Sequence, residues 1–157
     1  MNVFSTAHAC GQNSFHLVWK PKDAYSILVG EIKTQCEEVL RQVVQDYGYA
    51  IHALEVMPDH IHLFLSFKPN VSVSDVFHKL KGISARKLFE VFPQLRKRYW
   101  GGHLWSRGKF YRSVGSTTDR AVKIYIEHSQ GSWQNVEPQH EQLTPGQTQI
   151  IIDKENI

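Results

Sequence analysis

The chain has 157 residues and a mass of 18.1 kDa, one domain's worth of sequence and long enough to bury a real core. Its 41% hydrophobic and 21% charged residues suit a soluble globular domain of modest net charge, +3; no run of about 18 apolar residues offers a spanning helix, and residues 1–10 lack the regions of a signal peptide. Two cysteines, Cys10 and Cys36, exclude a disulfide scaffold or a four-cysteine zinc site, so the expected location is cytoplasmic, with no membrane partner.

Residues 15–19 read as a first strand, ended by Pro21. Asp23 can cap a helix that starts near Ala24, because Tyr25, Leu28, Val29, Ile32, Cys36, Val39, Leu40 and Val43 recur at three- and four-residue steps as far as Asp46. Tyr47-Gly48 breaks that helix. Residues 49–56 read as a second strand, Met57-Pro58-Asp59 as a turn and residues 60–67 as a third strand, so the two strands form a hairpin. Ser72 or Ser74 can cap a second helix with a stripe of Val73, Val76, Phe77, Leu80 and Ile83, running to Phe92 before Pro93. A basic, Gly-containing stretch follows. Residues 105–114 are a fourth strand, and Ser116-Thr-Thr-Asp119 caps a third helix over 120–129. After Gly131 the sequence is rich in Gln, Pro and Thr, which gives a domain over 1–131, with its core over 13–130, and a C-terminal tail over 132–157.

The order β-α-β-β-α-β-α places two crossover units around a hairpin. It predicts an α+β, ferredoxin-like antiparallel sheet with both main helices on one face and the other face open to ligands, as in RNA-recognition modules.

Charge is concentrated between Lys79 and Arg112. Ten basic residues stand there against the single acid Glu90, a net +9, which leaves −6 for the rest of the chain. Tyr99, Trp100, Trp105, Phe110 and Tyr111 lie in the same segment. Cations interleaved with aromatics suit a phosphate backbone whose bases can stack, the plain alternative being a solvated basic helix and loop.

The third strand carries the chemistry. Alternation puts Ile61, Leu63, Leu65 and Phe67 on one face and His60, His62, Phe64 and Ser66 on the other. Two imidazoles at i and i+2 can ligate one metal ion; the alternative is two polar residues on a half-wet strand. Cys10 and Cys36 have no zinc-type spacing to join them. The third helix offers Tyr125, Glu127, His128 and Gln130. A tyrosine can attack phosphorus and store the bond energy as a phosphotyrosine, helped by a divalent metal that polarises the phosphate. The alternative for Tyr125 is a core aromatic beside Ala121, Val122 and Ile126.

Five segments, in order, resemble the single-tyrosine HUH transposases of bacterial and archaeal insertion sequences. They are Phe15-His-Leu-Val-Trp-Lys20, Met57-Pro-Asp-His-Ile-His-Leu-Phe-Leu65, Leu80-Lys-Gly-Ile-Ser-Ala-Arg86, Leu104-Trp-Ser-Arg-Gly-Lys-Phe-Tyr-Arg-Ser-Val-Gly115 and Val122-Lys-Ile-Tyr-Ile-Glu127. The resemblance implies a metal-dependent endonuclease and strand transferase for single-stranded DNA, working through a 5′-phosphotyrosine at Tyr125 in insertion-sequence transposition. It implies Mg²⁺ or Mn²⁺ at His60 and His62, no nucleotide cofactor, recognition of small hairpins at the element ends, and a homodimer in which the tyrosine helix of one subunit can complete the other's site. The family's metal-binding Gln four residues after the tyrosine is Ser129 here, and Gln130 comes one later. On a regular helix Gln130 would point about 140° from Tyr125, so either a loosened helix end brings Gln130 to the metal or His128 serves. Asp59 and Glu55 flank the histidines and are candidates to orient them. Lys79, Lys81, Arg86, Arg107 and Lys109 are the candidate DNA contacts. The competing readings are a non-catalytic hairpin-binding module of the same fold and a small metal hydrolase or oxygenase built on the histidine pair.

Overall fold

The architecture follows from one strand that is apolar on alternate residues and covered on both sides. A computed structural model describes residues 4–5, 10–11 and 13–114. A short pair, β1 (Phe4–Ser5) and β2 (Cys10–Gly11), precedes a four-stranded antiparallel sheet of β3 (Ser14–Trp19), β4 (Ala50–Met57), β5 (His60–Ser66) and β6 (Phe110–Ser113). The spatial order is β4-β5-β3-β6, with α1 (Gly30–Asp46) connecting β3 to β4 and α2 (Val73–Val91) with α3 (Pro93–Arg98) connecting β5 to β6. This is the predicted split βαβ topology. The predicted third helix over 120–129 and the tail over 132–157 lie outside the described residues, as do the domain limits drawn from them.

The register explains the core. Leu17, Leu63 and Leu54 align across β3, β5 and β4, as do Trp19, Ile61 and Val56. Against this face pack Cys36, Val39, Leu40 and Val43 of α1 and Val76, Phe77, Leu80 and Leu88 of α2, all buried. Ser84 occupies the same stripe of α2 between Leu80 and Leu88. It is satisfied by the Trp105 indole, whose Nε1 donates to its Oγ over 3.0 Å. Burial also pushes the Cys36 thiol up to about 12, so it packs as a small hydrophobe and is no nucleophile.

Three elements differ from the sequence prediction. The first helix starts at Gly30, not near Ala24. Asp23 and Ala24 are left-handed, with φ of 60° and 51°, and Asp23 does not cap the helix. Leu28 is buried from an irregular segment because its N–H donates to the Pro58 carbonyl of the β4–β5 turn, over 3.0 Å, instead of to a helical acceptor. The helical spacing of Tyr25, Leu28 and Val29 was therefore coincidental. Second, Pro93 opens a short helix, α3, in the stretch expected to be irregular; proline suits the first helical turn, and Leu95 anchors it in the core. Third, the fourth strand is shorter than 105–114: only Phe110–Ser113 pair with β3, plus one bridge from Trp105 to Pro21. The intervening carbonyls of Ser106 and Gly108 accept from Lys81 Nζ, at 2.7 and 3.5 Å, which ties that segment to α2. The second helix matches its prediction, with Ser72 rather than Ser74 as its cap: the Ser72 Oγ accepts from the Asp75 N–H.

Gly48 ends α1 in a left-handed conformation, φ 68°. Its N–H donates to the Gln45 carbonyl and that of Tyr49 to Val44, the paired bonds of a Schellman motif. An added Cβ at Gly48 meets nothing within 4 Å, and the same holds at Gly82 inside α2, so backbone conformation alone decides the effect of a substitution. We expect Gly48→Ala to destabilise the fold by about 1–2 kcal/mol and Gly82→Ala to stabilise it by about 0.5–1 kcal/mol. Urea midpoints of the two variants shifting in the same direction would contradict this assignment.

Candidate active site

The second face of the sheet carries Ser14, His16 and Val18 from β3, His60, His62, Phe64 and Ser66 from β5, and Glu55 and Met57 from β4. The sequence predicted a face open to ligands with its histidines exposed, whereas His60 and His62 are each 1% exposed and His16 is 6% exposed. Phe64 joins Ala53 and Val114 in a second apolar cluster on this face.

Buried imidazoles need defined hydrogen-bond partners. His60 Nδ1 lies 2.7 Å from Oδ1 of Asp59, the preceding residue in the hairpin turn. A carboxylate only accepts, so this nitrogen carries a proton, and in the neutral ring Nε2 is the nitrogen with the lone pair. His62 Nδ1 lies 2.9 Å from His16 Nε2 across the β5–β3 pair. The His60 and His62 rings are 4.9 Å apart and nearly perpendicular, at 80°. Burial, reinforced by the Arg112 charge, lowers His16 to about 4; burial, with His16 and His60, lowers His62 to about 3. Both rings are therefore neutral near pH 7, the form that ligates metals.

A second polar chain runs beside the first. His52 Nε2 and Ser66 Oγ are 2.6 Å apart, and Ser66 Oγ is 2.6 Å from Ser14 Oγ. His52 reaches the face because the β4 register shifts between Ile51 and Ala53. Neither His16 nor His52 was singled out from sequence. A signal for His16 existed: it is a polar residue between Phe15 and Leu17, on a strand that the topology places beside the third. The bulge at His52 left no signal. Glu55 is the cross-strand partner of His62 on this face. Among the described residues no group of three His, Cys, Asp or Glu side chains is placed to hold a metal ion. Tyr125, His128, Ser129 and Gln130 lie outside the described residues.

The basic candidates divide. Lys81, Arg107 and Lys109 line one groove of about 450 Å³, with Phe77, His78 and Gly82. Arg86 is exposed one turn beyond Gly82. Lys79 faces the other way, 4.4 Å above the Tyr47 ring at the end of α1. Lys81 is chiefly a brace: its ammonium holds two backbone carbonyls, and burial, with Lys109 nearby, lowers it to about 8. Of the aromatics in the basic segment, Tyr99 and Trp105 are core residues, whereas Trp100 is 86% exposed.

Residues 10–129 match the family model for IS200-like transposases. The chain is 38% identical over 116 residues to the ISDra2 transposase TnpA of Deinococcus radiodurans, covering 74% of this chain and 83% of that protein. It is 32% identical over 124 residues to the transposase for insertion sequence element IS200 of Salmonella typhimurium, covering 79% and 81%. A crystal structure of a candidate transposase from D. radiodurans superposes with a TM-score of 0.67 at 34% identity, over 79% of this chain and 95% of that one. A REP-associated tyrosine transposase bound to a REP hairpin shares the fold, with a TM-score of 0.54 at 16% identity, over 80% and 70%. The chain belongs to the IS200-like family of single-tyrosine transposases and is a DNA transposase. No helix among the described residues is long and apolar enough to cross a membrane.

The depressed histidines make acid stability a test of the site. Above about pH 6.5 folded and unfolded chains both hold these imidazoles neutral. As pH falls below that value the unfolded chain takes up protons that folded His16 and His62 refuse until about 4 and about 3. Stability in EDTA is therefore full above pH 6.5 and declines below it, by up to about 1.4 kcal/mol per pH unit per histidine. Urea unfolding at pH 7.5, 6.5 and 5.5 measures this. His62→Leu should flatten the decline, and a wild-type midpoint that does not move between pH 6.5 and 5.5 would refute the assignment.

Proposed function

We propose that this transposase nicks and rejoins single-stranded DNA at insertion-sequence ends, with Tyr125 as nucleophile and a divalent ion, Mg²⁺ or Mn²⁺, held by His60 and His62. The observation that carries the reading is the donor set. His60 and His62 project from one strand with rings 4.9 Å apart, and each has its Nδ1 engaged, with Asp59 and with His16, so Nε2 is the nitrogen of each ring suited to ligation. That set fits a divalent ion. The third protein ligand on this reading is Gln130, or else His128 or Ser129, at the end of the tyrosine-bearing segment. When bound, the ion polarises the scissile phosphate and stabilises its developing charge. The Tyr125 phenol gives up its proton as its oxygen forms a bond to phosphorus, the bond to the 3′ oxygen breaks, and that oxygen takes up a proton and leaves as a hydroxyl. The 5′-phosphotyrosine keeps the energy needed for rejoining to another strand.

Single-stranded DNA with a hairpin is the substrate this reading assigns, bound by Arg86, Arg107 and Lys109, with Lys81 shaping the groove and Lys79 a peripheral contact. The same fold holds a REP hairpin in the REP-associated transposase. The groove lies on the helix side of the sheet and the histidines on the other, with β6 as the edge between them. An edge strand invites pairing, and we assign the homodimer to this edge, with Tyr125 of one subunit completing the site of its partner. We assign this chemistry to the domain over 1–131, acting in the cytoplasm.

Tyr125→Phe removes only the phenolic oxygen. It should abolish the denaturation-resistant protein–DNA adduct on a labelled hairpin substrate while binding changes less than about twofold; His62→Ala should abolish Mn²⁺-dependent cleavage. Binding without any adduct in the wild type would identify a non-catalytic hairpin-binding module instead. Mixing the two inactive variants should restore cleavage if sites are shared between subunits, and demonstrated heterodimers that stay inactive would place the tyrosine in cis.

Affinity for the hairpin should fall steeply with salt, by a log–log slope of about −0.7 per phosphate contact on a single strand. Arg107→Glu with Lys109→Glu should make that slope shallower by about 1.4. An unchanged slope and affinity would mean that these charges serve solubility alone.

A further inference from the structure

A neutral imidazole has one N–H and one lone pair, so a hydrogen bond between two neutral histidines has two possible directions. His16 Nε2 and His62 Nδ1 are 2.9 Å apart. In one direction His16 donates, and the single proton of His62 is then forced onto Nε2, where it blocks ligation. In the other, His62 Nδ1–H donates to His16, and His62 Nε2 carries the lone pair. Only the second makes His62 match His60, whose tautomer is set by the Asp59 carboxylate.

We propose that His16 is a positioning residue whose Nε2 accepts the His62 Nδ1–H bond and so holds His62 in the tautomer that presents Nε2 to a divalent metal. This rests on the proposed metal role of His60 and His62. Three observations beyond the distance support it. First, the ring centroids are 5.2 Å apart, close to the most that a 2.9 Å nitrogen–nitrogen contact allows, so the bond runs nearly along the line joining the two rings and close to the plane of both, where nitrogen lone pairs point. Second, the Phe110 ring stands edge-on to His16 at 6.1 Å and 76°, which restrains rotation of the acceptor. Third, His16 is 6% exposed and His62 1%, so water competes poorly for either nitrogen. The strand register fixes the pair: His16 is opposite Phe64, and His62 is the next residue along the same face of β5. His16 touches no reacting atom. It acts on the metal through His62, as the partners of metal-binding histidines generally do.

The test uses the full-length protein and Mn²⁺ alone, with free Mn²⁺ counted by electron paramagnetic resonance. His16→Phe keeps a ring in the site but removes the acceptor. It should weaken Mn²⁺ binding about 10–100-fold, and His16→Gln, whose Oε1 can accept at the position of Nε2, should restore most of that loss. Nitrogen-15 spectra of the imidazoles give a readout that simple packing would not move. In the metal-free wild type, His62 should carry its proton on Nδ1, and in His16→Phe the proton should shift towards Nε2. Wild-type Mn²⁺ affinity in His16→Phe, with His62→Ala losing binding, would overturn the inference and leave the metal reading intact. Equal Mn²⁺ binding by the wild type and His62→Ala, or none by either, would overturn the metal reading and the inference with it. Should His16→Phe not fold, the wild-type spectrum decides: a His62 proton on Nε2 in the metal-free protein refutes the role of His16.

Discussion

The position and register of β5 govern both the core and the site. This strand is central, paired with β4 on one side and β3 on the other, and every one of its seven residues is buried. Its odd-numbered side chains enter the layer beneath α1 and α2, and its even-numbered ones enter the histidine layer. A slip of one residue would drive His60 and His62 into the hydrocarbon core and expel Ile61, Leu63 and Leu65 from it. Such a slip is opposed from both sides. The two-residue turn at Pro58-Asp59 sets the phase with β4, and six consecutive pairs, from Ser14–Ser66 to Trp19–Ile61, set it with β3. The single irregularity, at His52, is confined to the edge strand β4.

The polar layer obeys a different rule from the apolar one. Hydrocarbon side chains need only volume, whereas a buried imidazole needs a partner for each proton and lone pair. The protein supplies those partners from two sources. Asp59 is adjacent to His60 in sequence, so the turn that builds the hairpin also orients that ring. His16 comes from another strand, so the orientation of His62 depends on the sheet being assembled. Desolvation keeps His16 and His62 neutral near pH 7. The burial that makes their protonated forms unfavourable also keeps His62 in the neutral form that the proposed metal ligation needs.

The basic segment serves two purposes that composition alone would merge. Tyr99 and Trp105 fill the core, and Lys81 fastens the 106–108 backbone to α2. Arg107 and Lys109 remain on the surface beside that brace. By donating to the Ser106 and Gly108 carbonyls, Lys81 holds in place the segment that carries the cations proposed to contact DNA. Trp100, exposed next to Gly101 and Gly102, is the aromatic of this segment most available for stacking.

The sequence by itself determined the order of the four strands and two main helices of the sheet domain, the topology that follows from it and the division of β5 into an apolar and a histidine face. These are properties of local period, and a period of two or of 3.6 is written in consecutive residues. The five segments that resemble the single-tyrosine transposases also depend only on order along the chain, and the family assignment agreed with them. The start of α1, the closure of the second face and the partner of His62 were decided by tertiary structure. Leu28 leaves the helix because Pro58, thirty residues later, accepts its N–H. The histidines of that face are buried, which no local pattern shows, and His16 meets His62 only because β3 lies beside β5. Contacts of this kind join residues distant in the chain, and no local pattern records which of them will meet.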